Sequence, residues 1–112
     1  MQRDDVILVR HMLDTARNIA QRVAVVSREE FDSDEDLRDA LALRVQIVGE
    51  AASKVSQAFR TEHPEVPWGR IIGMRHRIVH DYLNVDFDIL WQVAKKDVSE
   101  LVPVLEQLVE RE

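Results

Sequence analysis

The residues of this chain whose types and spacing fit a chemical reaction lie in one short run, Arg75-His76-Arg77-Ile78-Val79-His80-Asp81-Tyr82. An arginine guanidinium binds a phosphate group through a planar fork of N–H donors. A histidine accepts or donates a proton near neutral pH. Arg75, followed by His80 and Tyr82, is therefore a set of residue types that can cleave RNA without a metal ion.

The surroundings of this run are basic, although the chain as a whole is acidic. Three arginines, two histidines and no acid occur between Val66 and His80, whereas the formal net charge of the chain is −6. A locally basic window in an acidic chain indicates a site for an anion. Nucleic-acid-binding proteins are often basic overall, so RNA binding here would depend on this local patch and would be sensitive to salt.

Helix geometry restricts how these side chains can meet. His80 is five residues after Arg75, which is about 140° round a helix with about 100° per residue. Arg75 and His80 of one regular helix would therefore not reach the same phosphate. Either the helix ends or distorts near His80, or a second copy of the chain completes the site. In a two-fold dimer, one histidine would remove the proton of the RNA 2′-OH and the other would protonate the leaving 5′-oxygen.

Two other interpretations of the run are a metal site and a solvent-facing helix end. His76 and His80 are four residues apart, a spacing that metal ligands use on a helix. Arg77 occupies the position of the glutamate in a zinc-protease motif and would repel a cation, so we expect neither a metal nor any other cofactor. In the remaining interpretation the segment is a basic helix end with Tyr82 half buried.

The elements that carry this run are predicted to be helices of a single domain over residues 1–112. The chain is 46% hydrophobic and has only three glycines and three prolines, which favours an all-α, up-and-down bundle of four to six helices. Apolar residues at spacings of three and four predict helices over about Asp4 to Val26, Asp34 to Arg60 and Pro67 to Tyr82, a short helix after Ser27, and a helix from Asp86 that breaks near Asp97.

Several local signals refine this prediction. Ser27 and Asp97 each begin a capping box, and Asp4 or Asp5 can cap the first helix. Gly49, in the middle of a helix, predicts close approach of another backbone, because glycine there costs ~1 kcal/mol relative to alanine. The neighbouring Glu50 and Arg44 form either a solvated or intra-helical pair, or a group that supports the active site.

Composition also bears on location. The chain has no cysteine, which excludes disulfides and cysteine metal sites. The N-terminus lacks the basic start and apolar run of a signal peptide. No stretch approaches the ~20 apolar residues of a membrane span, so a soluble cytoplasmic protein without membrane partners is expected.

Motifs spread over most of the chain resemble one family. They are Gln46-Ile47-Val48-Gly49-Glu50-Ala51-Ala52, Val66-Pro67-Trp68, Ile71-Ile72-Gly73-Met74-Arg75, His80-Asp81-Tyr82, Val85-Asp86 and Ile89-Leu90-Trp91. Together they resemble the HepT-like family, small toxins of the HEPN superfamily that are paired with a minimal nucleotidyltransferase antitoxin called MntA. The resemblance is densest from Leu43 to Leu101, and the first third of the chain adds little to it.

The resemblance implies a helical, HEPN-like homodimer with a composite active site at the dimer cleft. The family motif, R-x4–6-H-x-Y, matches Arg75, His80 and Tyr82, with His76 and Arg77 as supporting polar residues. It implies metal-independent cleavage of RNA, not DNA, by Arg75 and His80. It also implies that an MntA-like partner transfers AMP from ATP to Tyr82 and so silences the toxin. The alternative function is a non-catalytic HEPN-type subunit that only binds the nucleotidyltransferase.

Overall fold

The helices of this protein are joined by short turns and share one apolar core. The computed structural model describes residues 3–81 and 84–112, and at residues 3, 80 and 81 it describes the backbone alone. The elements in chain order are α1 (Arg3–Ala24), α2 (Arg28–Ser33), α3 (Glu35–Lys54), α4 (Gln57–Glu62), α5 (Trp68–Ile72), α6 (Met74–Ile78), β1 (Val79–Asp81), β2 (Asn84–Val85), α7 (Phe87–Gln92), a π-helical turn (Val93–Asp97) and α8 (Val98–Arg111). The predicted all-α bundle is confirmed, but its four to six helices appear as eight α-helical segments in the described residues because three of the predicted ranges are interrupted.

The long helix α1 contacts both α3 and α8. Its apolar stripe follows helical spacing and is buried at Val9, Met12, Ala16, Ile19 and Val23. The predicted cap at its start, Asp4 or Asp5, is wrong, because the helix begins at Arg3 and already includes both residues. The buried Asp5 carboxylate instead accepts hydrogen bonds from the Ser56 backbone N–H (2.8 Å) and the Ser56 hydroxyl (2.7 Å). Asp5 therefore joins the start of α1 to the start of α4.

The same contact explains why the predicted helix from Asp34 to Arg60 is interrupted. Val55 and Ser56 are extended, and the Ser56 hydroxyl oxygen caps α4 by accepting the Phe59 N–H at 3.1 Å. The start of this region is as predicted, since the Asp34 side chain caps α3. The interruption at Ser56 depends on its contact with Asp5, 51 residues earlier. A local sequence pattern does not contain this partner.

Gly49 lies where α5 meets α3, as the sequence predicts. A Cβ atom added at Gly49 would be 3.0 Å from the Ile71 carbonyl oxygen and 3.6 Å from that of Ile72. These are the last two residues of α5. The glycine therefore allows the carboxyl end of α5 to rest on α3, which sets the place where α6 begins.

The predicted helix from Pro67 to Tyr82 ends at Ile78 in the structure. Gly73 separates α5 from α6, and the backbone is extended from Val79 onward. β1 pairs antiparallel with β2, with Val79 opposite Val85. The Asp86 N–H donates to the Ile78 carbonyl oxygen at 2.7 Å, which closes the ribbon. Branching at Cβ in Ile78 and Val79 favours this change from helix to extended backbone.

The C-terminal helix is interrupted near Asp97, as predicted, but the capping box predicted there is wrong. Asp97 has helical dihedral angles and no side-chain cap, and the Val98 N–H donates to the Val93 carbonyl five residues earlier. The interruption is therefore a π-helical turn inside a continuous helix. Among the described residues, no helix is both long enough and apolar enough to cross a membrane.

Candidate active site

Arg75 lies on the exposed side of α6, in front of α3. Its side chain borders a shallow hollow of about 200 Å³ whose other walls are Gln46, Ile47 and Glu50 of α3. Among the side chains that the structure describes, no acid forms an ion pair with Arg75. Its guanidinium is thus available to an anion that enters the hollow.

Burial of two neighbours orients Arg75. Met74 and Ile78 are four residues apart on α6, and both are buried in the core. Because positions four apart share a face of a helix, His76 projects from the opposite side and Arg75 from the flank, and both are exposed. Gly73 assists at the junction, since a Cβ there would lie 3.2 Å from the Gly69 carbonyl oxygen. Two buried apolar residues and one tight junction therefore hold the arginine at the surface.

His80 is not on the helix that carries Arg75. α6 ends at Ile78, and the backbone of His80 lies in β1. Of the two sequence-based solutions to the 140° separation, the structure shows the first, because the helix ends before the histidine. The side chain of His80 and the whole of Tyr82 lie outside the described residues. Their proposed catalytic and modification roles remain predictions.

Arg77 has a different environment from Arg75. Its guanidinium donates a hydrogen bond to the carboxylate of Asp97 in the π-helical turn, and Arg70 of α5 lies 3.6 Å from the same carboxylate oxygen. Arg77 points away from Arg75, because residues two positions apart on a helix differ by about 200° in direction. Part of the positive charge predicted for this segment is therefore matched by one acid.

Glu50 and Arg44 do not form the pair that the sequence allows. Glu50 pairs with Lys54 one turn later on α3, at 3.8 Å, and lines the hollow beside Arg75. In Arg44, one terminal guanidinium nitrogen is buried and has no hydrogen-bond partner among the described residues. The second interpretation, a residue next to the site, therefore fits Glu50 better than it fits Arg44.

Among the described residues, no group of three or more histidines and acids lies close enough to hold a metal ion. His76 is exposed on α6, whereas His63 stacks on Phe59 with ring centroids 4.5 Å apart. His63 therefore lies in a packing contact with an aromatic ring and not beside Arg75.

Sequence reasoning missed Asp97 as a partner of the motif. Two signals could have indicated it. Arg70 and Arg77 are seven residues apart, which places them on one face of a helical segment. Asp97 also interrupts the apolar stripe between Ala94 and Leu101, where a charged residue requires a partner. Both signals need a packed partner helix before they can be combined.

Known proteins are similar to this chain over most of its length. The family described as Ribonuclease HepT-like matches residues 12–108, which include the whole candidate site. A protein of Caldanaerobacter subterraneus subsp. tengcongensis named "Putative RNase TTE0752" is 32% identical over 102 residues, covering 91% of this chain and 91% of that protein. "Probable ribonuclease HepT" of Thermococcus cleftensis is 29% identical and covers 85% of this chain and 93% of its own length.

A third relative comes from another organism. "Putative RNase MJ1380" of Methanocaldococcus jannaschii is 28% identical over 100 residues, covering 89% of this chain and 92% of that protein. No solved structure is significantly similar to the chain. The family match covers far more than half of the 112 residues, and it includes Arg75, His80 and Tyr82. The chain belongs to the HepT-like ribonuclease family.

Proposed function

We propose that this protein is a metal-independent endoribonuclease toxin whose active site uses Arg75 and His80. The observation that carries the proposal is the exposed guanidinium of Arg75, which pairs with no acid among the described side chains and lies on a short helix that ends just before His80. Membership of a ribonuclease family supports the same reaction. An exposed arginine with no acid bound to it is what a phosphate-binding site requires.

The proposed reaction is an internal transfer of the phosphate followed by release of one RNA fragment. His80 of one protomer removes the proton of a 2′-OH, and the resulting oxygen attacks the adjacent phosphorus. The P–O5′ bond breaks, and His80 of the other protomer gives a proton to the leaving 5′-oxygen. Arg75 stabilises the negative charge that builds on the phosphate oxygens in the transition state. The products are a 2′,3′-cyclic phosphate and a 5′-OH, and DNA resists because it lacks the attacking hydroxyl.

The proposal includes a homodimer, because the motif of one chain offers one catalytic histidine, His80, to a reaction that uses two proton transfers. A two-fold axis close to the Arg75 hollow would bring two copies of the motif together. It would also double the local positive charge in a protein with a formal net charge of −6 per chain. Binding of RNA would accordingly weaken steeply as salt is raised.

The proposed regulation is the transfer of AMP to Tyr82. A nucleotidyltransferase antitoxin of the MntA type would use ATP, form a bond between the tyrosine oxygen and the α-phosphorus, and release pyrophosphate. The added nucleotide is bulky and anionic, and it sits seven residues from Arg75. It would compete with RNA for the same positive charge and repel the substrate phosphate.

Cleavage of a labelled RNA, with EDTA present, tests the enzymatic part. The wild-type protein should cleave, and Arg75→Ala and His80→Ala should lose cleavage while remaining dimeric and folded. Arg22→Ala, which removes an exposed positive charge at the end of α1, is the matched control and should retain activity. Growth arrest on expression, relieved by His80→Ala, gives the same comparison in cells. Full activity of Arg75→Ala would reject this site.

Intact mass after incubation with the cognate nucleotidyltransferase and ATP tests the regulatory part. The wild-type chain should gain whole AMP units, and Tyr82→Phe should gain none. AMP transfer to a wild-type chain that neither cleaves RNA nor stops growth would favour the alternative, a non-catalytic subunit bound by the nucleotidyltransferase. Labelling of Tyr82→Phe would exclude this tyrosine as the sole acceptor.

A further inference from the structure

The π-helical turn gives Asp97 its position beside α6. Leu90, Ala94 and Val98 are all buried, at spacings of four residues. Two turns of a regular α-helix take about seven residues, so the eight residues from Leu90 to Val98 are about one too many for a single buried stripe. In a regular helix Asp97 would lie three residues after Ala94, on the stripe that enters the core. The π turn absorbs the extra residue, so that Val98 enters the core and Asp97 lies at its edge. π turns inside α-helices are frequently found at functional sites.

The contacts of Asp97 lead to the candidate active site. Its side chain is 12% exposed, and its carboxylate accepts a hydrogen bond from Arg77 of α6. Arg70 is 3.6 Å away, but its side chain is 68% exposed, so solvent screens most of that attraction. The Arg77 bond is charge-assisted and half-buried, which makes it the stronger of the two.

The helix that Arg77 anchors is too short to be stable alone. α6 has five residues, and isolated helices below ~12 residues are marginal in water. Met74 and Ile78 hold it to the core from one side, and the bond between Arg77 and Asp97 holds it to the C-terminal helix. Arg75 is two residues before Arg77, and β1, which contains His80, begins two residues after it.

We infer that Asp97 is a positioning residue of the ribonuclease site, which acts through Arg77 to fix the orientation of α6. The ion pairs of Asp97 go to Arg70 and Arg77, so it acts by holding the helix from which Arg75 projects and from which the chain enters β1. The catalytic part of the inference rests on the proposed function. A displacement of catalytic groups by about 1 Å can reduce a rate by ~100-fold, so a loosened α6 should lower kcat measurably.

Electrostatics separates this role from a role in RNA binding. Replacing Asp97 by asparagine removes a negative charge close to two arginines, which should strengthen attraction of RNA if it has any effect on binding. A positioning role therefore predicts a lower kcat with an unchanged or lower KM. Glu100→Gln is the matched control, because Glu100 is exposed three residues later on α8 and loses the same charge.

Steady-state cleavage by a set of variants tests the inference. Asp97→Asn and Arg77→Gln should each lower kcat by about tenfold, which corresponds to ~1.4 kcal/mol in the barrier. The double variant should be no slower than either single variant, because both remove the same contact. Glu100→Gln should keep the wild-type kcat. The inference would be overturned if Asp97→Asn had the same kcat as Glu100→Gln. It would also be overturned if the losses of the two single variants were strictly additive in the double variant.

Amide hydrogen exchange of residues 74–81 separates failure of this inference from failure of the proposed function. If Asp97 holds α6, exchange in this segment should accelerate in Asp97→Asn and in Arg77→Gln, but not in Glu100→Gln. Urea unfolding of the same samples tests whether each variant is folded. If Asp97→Asn does not fold, Arg77→Gln provides the same test of the contact. A wild-type protein without cleavage would reject the proposed function, and exchange would still decide on Asp97. Equal exchange in all variants would overturn the holding role.

Discussion

A matched pair of glycine substitutions tests the packing that places α6. Gly49→Ala adds a Cβ atom 3.0 Å from the backbone carbonyl oxygen of Ile71. This oxygen belongs to the backbone of α5, so relief of the contact requires the whole helix to shift. Gly69→Ala adds the same atom on α5, where nothing lies within 4 Å. Both substitutions gain up to ~1 kcal/mol of helix propensity. Only Gly49→Ala incurs overpacking, which costs about 1–3 kcal/mol.

The difference between the two variants therefore isolates the contact between α3 and α5. Gly69→Ala should be as stable as the wild type or up to ~1 kcal/mol more stable, and Gly49→Ala should be about 1–3 kcal/mol less stable than Gly69→Ala. Urea unfolding at one fixed protein concentration measures both free energies, because the proposed dimer makes stability depend on concentration. A displaced α5 should also reduce RNA cleavage. Equal stability of the two variants would refute the close approach at Gly49.

Three further predictions concern the ends of the bundle and the site. Asp5→Ala should lower the free energy of unfolding by about 2–4 kcal/mol in urea, because two hydrogen bonds from Ser56 to a buried carboxylate are lost; a loss below the error of the measurement would contradict that linkage. The pKa of Glu65 lies below its ordinary 4.5, first because of its own backbone N–H and also because of Arg111. The stability that Glu65 contributes is present above pH 4.5 and is lost as pH falls through the lowered pKa, so Glu65→Gln should unfold with a weaker acid dependence. Arg75→Ala should reduce kcat by roughly 100- to 1,000-fold, and Arg75→Lys should fall between it and the wild type, because lysine keeps the charge but not the planar fork; equal cleavage by Arg75→Lys and Arg75→Ala would contradict a role for the charge.

The parts of the fold that depend on local chemistry could be predicted from the sequence. The capping box at Ser27 is present, with the Ser27 oxygen 3.1 Å from the Glu30 backbone nitrogen. Asp34 and Asp86 cap the helices that follow them. Each of these motifs joins residues three positions apart, so the pattern contains both partners. The apolar stripes of α1 and α8 were predictable for the same reason, since their period reports which face is buried.

The errors concern residues whose partners are far away in the chain. Asp5 was assigned to its own helix, but Ser56 lies 51 residues later and interrupts a helix that the apolar pattern continues. The sequence pattern assigns Asp97 to a capping box, but in the structure its carboxylate accepts a hydrogen bond from Arg77, 20 residues earlier. A pattern of residue types cannot reveal such pairs before the helices are packed.

The candidate site was predictable at the level of residue types, and its geometry was not. The spacing of Arg75 and His80 on a helix of constant pitch left two solutions open. The structure shows that α6 ends at Ile78, because Asp86 and Val85 pair with the chain as it leaves the helix. The hollow next to Arg75, formed by Gln46 and Glu50 of α3, needed the tertiary structure.

The chemistry of the cleaved ends tests the central claim most directly. Mass spectrometry of an RNA oligonucleotide after incubation with the purified protein in EDTA, beside the DNA of the same sequence, identifies both new termini. The proposed use of Arg75 and His80 predicts a 2′,3′-cyclic phosphate, a 5′-OH, and no cut in DNA. A 3′-OH with a 5′-phosphate, cleavage of the DNA, or the same products from His80→Ala would contradict it.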